Sequence, residues 1–152
     1  MTRFLPKNGE IFSIFFIIFA SNSISMTKTI DNLTKNLVYI SETDAPIIPF
    51  TLDRAEAVTA YEVLRQTGHS DGEPVETIDA EAFFARLTTF REWFGPREKE
   101  TAERFKALKT ELEKELDELK VFKVGKIRID IYVVGLDKKG RLAGVKTKAI
   151  ET

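Results

Sequence analysis

The 152-residue chain has no cysteine and a single histidine, His69. Without a thiol there is no disulfide framework, no thiolate metal site and no cysteine nucleophile. With one imidazole, metal centres built on several histidines and relays through two imidazoles are excluded as well. An excess of charge of one sign is also missing, since 23 Lys+Arg against 24 Asp+Glu leave a net charge of −1. That balance gives no global attraction to DNA, RNA or an anionic membrane, and it is too weak to imitate DNA by bulk charge. Any electrostatic function must therefore sit in a local patch. Long apolar runs are absent too: the uncharged stretch "IFSIFFIIFA" at 11 to 20 is too short to span a bilayer.

What remains is the composition of a globular protein, 43% hydrophobic and 31% charged, with room for one domain and a real core. The front end stands apart. Arg3 and Lys7 precede the apolar run and "SNSIS" follows it, the outline of a signal peptide, although Glu10 abuts the apolar core. The only two methionines are Met1 and Met26, and "MTKTI" opens the globular pattern. Residues 1–25 are thus expected to be a signal peptide or an upstream extension of a chain whose translation starts at Met26. Both readings place them outside a domain at 26–152.

Along that domain, Ile30, Leu33 and Leu37 recur at helical spacing before the chain turns β-branched and irregular. Pro46 and Pro49 disfavour helix and central strand, leaving "IIPFTLD" as an edge strand. Helices are predicted over 56–68, stopped by Gly68, and over 78–88, capped by Asp79 with Phe83, Phe84 and Leu87 buried. Thr89 and Glu92 have capping-box spacing ahead of a long helix at 97–119, whose stripe is Phe105, Leu108, Leu112, Leu116 and Leu119. The end is β: Ile127, Ile129, Ile131 and Val133 alternate, "LDKKGRL" turns, and "GRLAGVKTKAIET" forms a last strand that stops at Glu151-Thr152. Helices early and a hairpin last predict a mixed α+β layered domain.

Candidate chemistry is sparse. His69 is followed by Ser70 and Asp71, but neighbours in one turn cannot meet as base, nucleophile and orienter, so a turn held by Asp71 and Gly72 is preferred. Glu111/Glu115 and Glu113/Asp117 have ligand-like spacing on a helix, yet among lysines they read as a solvated face. The basic hairpin "LDKKGRLAGVKTK" lacks the interleaved aromatics of a nucleic-acid surface. Burial is the ordinary fate of the single tryptophan, Trp93, and an interface anchor is the alternative. Glu42, in the stiff loop "SETDAP", could join Glu92, Glu151 and the terminal residue in a cluster of hard oxygens suited to Mg²⁺ or to a partner's arginine.

The stretches "MTKT", "ISETDAP", "LRQTGH", "FFARLTT" with "EWF", "VGKIRIDIYVVG" and "GRLAGVKTKAIET" resemble, in order, the nuclease A inhibitors of cyanobacterial type. The resemblance runs from Met26 to Thr152 and implies a three-layer α/β/α sandwich related to the pathogenesis-related type 1 fold, without catalytic activity. It also implies a partner, a sugar-non-specific Mg²⁺-dependent nuclease of the ββα-metal class, whose active site the inhibitor blocks. Carried over by position, the contact residues are Glu42, Glu92, Trp93 and Thr152, the last reaching the partner's Mg²⁺. No cofactor of its own, no direct nucleic-acid or membrane contact, a monomeric free state and a cytoplasmic location are the matching expectations. A functional signal peptide would instead export the chain. The sequence departs from a member of that family at Glu92, where the member has aspartate, and at Phe90, where it has proline. The competing expectation is a small-ligand-binding or orphan domain of the same fold with no nuclease partner.

Overall fold

The computed structural model describes residues 29–152. The expectations for residues 1–25 and for a start at Met26 fall outside these residues. Helix α1 covers 29–34, and strands β1 (Val38–Ile40) and β2 (Asp44–Pro46) form a small hairpin. Then follow β3 (Ile48–Arg54), α2 (Ala60–Thr67), β4 (Val75–Asp79), α3 (Ala80–Thr88), α4 (Pro96–Glu115), β5 (Asp117–Val124), β6 (Arg128–Leu136) and β7 (Arg141–Ile150). The main sheet has the order β3-β7-β6-β5-β4, and every neighbouring pair in it is antiparallel.

Period-2 alternation makes this sheet two-sided. Ile129, Ile131 and Val133 of β6 and Val145 and Ala149 of β7 face one core with Phe83 and Phe84 of α3 and Phe105, Leu108 and Leu112 of α4. Tyr132 and Val134 face the other with Phe122, Leu142 and the α2 residues Val63 and Leu64. Helices therefore cover both faces, and the mixed α+β architecture stands as expected. Ile127 drops out of the predicted face because it lies in the β5–β6 turn, where it is exposed.

Local signals hold where the determinant is local. Gly68 ends α2 with φ 81°, a conformation a β-carbon would disfavour. Asp79 caps α3 by accepting from the Ala82 N–H at 3.2 Å. "IIPFTLD" is the edge strand β3. Elsewhere tertiary pairing wins. Thr89 does not open α4: its hydroxyl donates to the Ala85 carbonyl at 2.6 Å and closes α3. The contact that opens α4 is six residues on, where the Gly95 N–H donates to Glu98 Oε1 at 2.9 Å. The helix ends at Glu115 instead of 119, because Leu116 turns extended and Asp117 pairs with Leu136 of β6. Asp117 thus leaves the helix, and its helical spacing from Glu113 goes with it. β4 hides in "VETID", a polar edge strand, and β1–β2 in the irregular segment; both need a partner strand to exist.

Candidate functional site

β7 carries the chain to its last residues, and two neighbouring elements fix them. Ser41, at the tip of the β1–β2 hairpin, accepts the Ile150 N–H on its Oγ at 3.1 Å, while the Glu42 N–H donates to the Ile150 carbonyl at 3.3 Å. On the other side, the Glu151 N–H donates to the Ile127 carbonyl at 3.0 Å and its carboxylate takes an ion pair from Lys123 Nζ at 2.7 Å. Thr152 is then clasped by Glu42. Its N–H donates to Oε2 at 2.7 Å, and its hydroxyl lies 2.9 Å from Oε1 and 3.0 Å from Oε2. These hydrogen bonds, the backbone one foremost, hold the Glu42 carboxyl below its ordinary proton affinity.

The clasp has a chemical consequence. A threonine hydroxyl owns one proton and two lone pairs. With the proton committed to Glu42, the oxygen keeps acceptor capacity for a cation or donor arriving from outside. Glu42 and Thr152 are both exposed, so the arrangement is an accessible, oxygen-rich tip.

Glu92 and Trp93 sit in the turn between α3 and α4, which the Phe94 N–H closes onto the Arg91 carbonyl at 3.0 Å. Trp93 is 70% exposed, contrary to the burial usual for tryptophan, and its ring meets that of Phe94 edge-on, 4.7 Å between centroids. The structure does not join this turn to the clasp by a hydrogen bond. It does put both at one end of the molecule. Leu116 lies beside Ala143, and Phe105 and Leu108 beside Thr147, so α4 runs back along β7. The N-terminus of α4, and the turn before it, therefore lie toward the end of the sheet where β7 delivers Thr152.

A profile of the nuclease A inhibitor-like protein family matches residues 24–152. The chain belongs to this family. The ordered motifs implied as much, and the match spans nearly the whole chain. No curated protein matches it.

For a chain of this inhibitor family, the sequence left out the supports of the tip: Ser41, Lys123 and the Ile127 carbonyl. "SET" could have flagged Ser41, since a serine two residues before a threonine readily forms a local side-chain-to-backbone turn; here its Oγ accepts from the Thr43 N–H at 3.3 Å. Lys123 and Ile127 carry no such local mark. The sequence also carried no sign of the partners of His69. The turn at Asp71 and Gly72 is present, closed by the Glu73 N–H on the Ser70 carbonyl at 3.2 Å, but His69 reaches beyond it: Nδ1 lies 2.8 Å from Glu73 Oε2, and Nε2 lies 3.0 Å from Tyr132 Oη and 3.2 Å from Asp130 Oδ2. The His69 hydrogen bond lowers the Glu73 proton affinity, and burial raises that of the Tyr132 phenol. Among the described residues no group of three His, Asp or Glu side chains is placed to hold a metal. No described helix is long and apolar enough to cross a membrane.

Proposed function

We propose that the chain is a protein inhibitor of a sugar-non-specific, Mg²⁺-dependent nuclease of the ββα-metal class, and that it occludes the nuclease active site with Thr152 and the Glu42 loop. The observation that carries this reading is the clasp of Thr152 by Glu42. A nuclease site holds a hard cation and cationic side chains arranged around a phosphate. The clasp offers such a site a prearranged hydroxyl and carboxylate and no scissile bond. Prearrangement matters because a loose terminus would lose conformational freedom on binding. Trp93, exposed on the same end, would supply the apolar anchor, with Glu92 beside it for a cationic group of the partner.

Family membership supports a nuclease partner and argues against turnover, so the protein is read as a non-enzyme without a cofactor of its own. The helices on both faces of the sheet support the three-layer arrangement of the pathogenesis-related type 1 fold. A monomer acting in the cytoplasm fits an inhibitor that protects its own cell.

The test is titration of the full chain against a Mg²⁺-dependent non-specific nuclease, with Glu42→Gln alongside. Stoichiometric inhibition by the parent is expected, weakened at least about tenfold by Glu42→Gln, which is roughly 1.4 kcal/mol. Complete absence of a complex with nucleases of this class would overturn the reading.

A further inference from the structure

At the edge of the main sheet, between the start of β3, the α2 C-terminus and the ends of β6 and β7, lies an open concavity of about 370 Å³. Its size is that of a small-molecule site. One wall is apolar, formed by Ala45, Pro46 and Ile48, and Ile48 is itself largely exposed. Beside this wall stand Lys146, the cross-strand neighbour of Ile48, and Lys148, two residues apart on β7 and so on one face of the strand. His69, Asp130 and Tyr132 complete it.

The charges here are unevenly answered. Both carboxylates near the pocket face the imidazole, Glu73 at 2.8 Å from Nδ1 and Asp130 at 3.2 Å from Nε2, and a protonated ring donates to both. Asp130 stands directly across from Lys148 in the β6–β7 register, yet it turns to His69. Among the described residues, neither Lys146 nor Lys148 has an ion-pair or hydrogen-bond partner for its ammonium group. The pocket thus holds carboxylates turned toward His69, an apolar wall and, among the described residues, two lysines without an ion-pair partner.

We infer that this concavity binds a small organic anion, with its acid group on Lys146 and Lys148 and its apolar body against Ala45, Pro46 and Ile48. The inference does not depend on nuclease inhibition. His69, pinned at both nitrogens, is a positioning residue: it keeps Asp130 away from Lys148 and leaves that cation for the ligand. An ammonium group recognises charge without a fixed fork, so phosphate and carboxylate are both admissible acids.

The full chain, ¹⁵N-labelled, is titrated with adenosine monophosphate, with benzoate, and with uncharged adenosine. Saturable amide shifts at Gly68, His69 and Thr147 are expected with one or both acids, with a Kd at or below about 1 mM, the weak end of specific binding. Adenosine should bind at least about tenfold more weakly than adenosine monophosphate. The exposed pair Lys146→Ala/Lys148→Ala should weaken binding about tenfold or more at unchanged thermal stability, whereas Lys138→Ala/Lys139→Ala on the β6–β7 turn should not. The inference is overturned if neither acid saturates, if the shifts map elsewhere, if adenosine binds as well as its phosphate, or if the Lys146/Lys148 variant binds like the parent.

Discussion

Glu42 shows how one carboxylate organises the tip. It is fully exposed, so its value to overall stability is small, but its hydrogen bonds decide whether Thr152 is held or loose. Because the folded-state proton affinity is lowered, the clasp is fully present above the ordinary glutamate range. It persists somewhat below that range and is lost as pH falls through the lowered value. An NMR titration of the Glu42 side-chain carboxyl carbon should give a midpoint below that of an ordinary glutamate, and removal of Thr152 should bring it back up. An ordinary midpoint in the intact chain would mean that the clasp is not populated in solution. At this scale the sequence was readable for residue type and blind to partnership. Glu42 and Thr152 are 110 positions apart, and no periodicity links them.

Among the elements, the turn between α3 and α4 and the strand β7 carry the most. Trp93 makes little intramolecular contact, so Trp93→Ala should leave the melting temperature within about 2 °C while weakening nuclease binding by roughly 2 kcal/mol, about thirtyfold. A large loss of stability together with binding would instead make it a structural residue. β7 tolerates no such freedom. A β-carbon at Gly144 would meet the Val133 carbonyl oxygen at 1.9 Å, so Gly144→Ala must push β6 and β7 apart. Destabilisation of roughly 3 kcal/mol in urea unfolding is expected, and because β7 positions Thr152, inhibition should fall with it. Element boundaries were legible where capping chemistry is local, as at Gly68 and Asp79. They were illegible where a partner strand decides, as at Leu116, whose apolar spacing continues the helix until β6 claims the next residue.

For the whole molecule, the sheet acts as a frame that brings two distant loops and one chain end to the same side. Lys123 and the Ile127 carbonyl hold Glu151 from β5 and the β5–β6 turn, and Ser41 and Glu42 hold Ile150 and Thr152 from the β1–β2 hairpin. On the proposed mode of binding, residues appended after Thr152 would have to enter the partner's cleft with it. Adding about five residues should weaken inhibition well over tenfold with an unchanged unfolding midpoint. Equal inhibition by the extended chain, measured by residual nuclease activity at fixed inhibitor, would rule out a terminal plug.

By itself the sequence determined the class of the protein and its family. The lack of cysteine, the single histidine and the charge balance narrow the chemistry, and the ordered motifs name the relatives, because composition and order belong to the chain whatever its shape. The alternation of β6 and β7 and the stripe of α4 likewise follow from local spacing. It took the tertiary structure to show that Thr152 is clasped by Glu42, that Trp93 is exposed, and that Asp130 faces His69 instead of its cross-strand neighbour Lys148. Those are contacts across the sheet. They depend on strand order and register, which arise from burying both faces of β6 at once and are fixed by no single stretch of sequence.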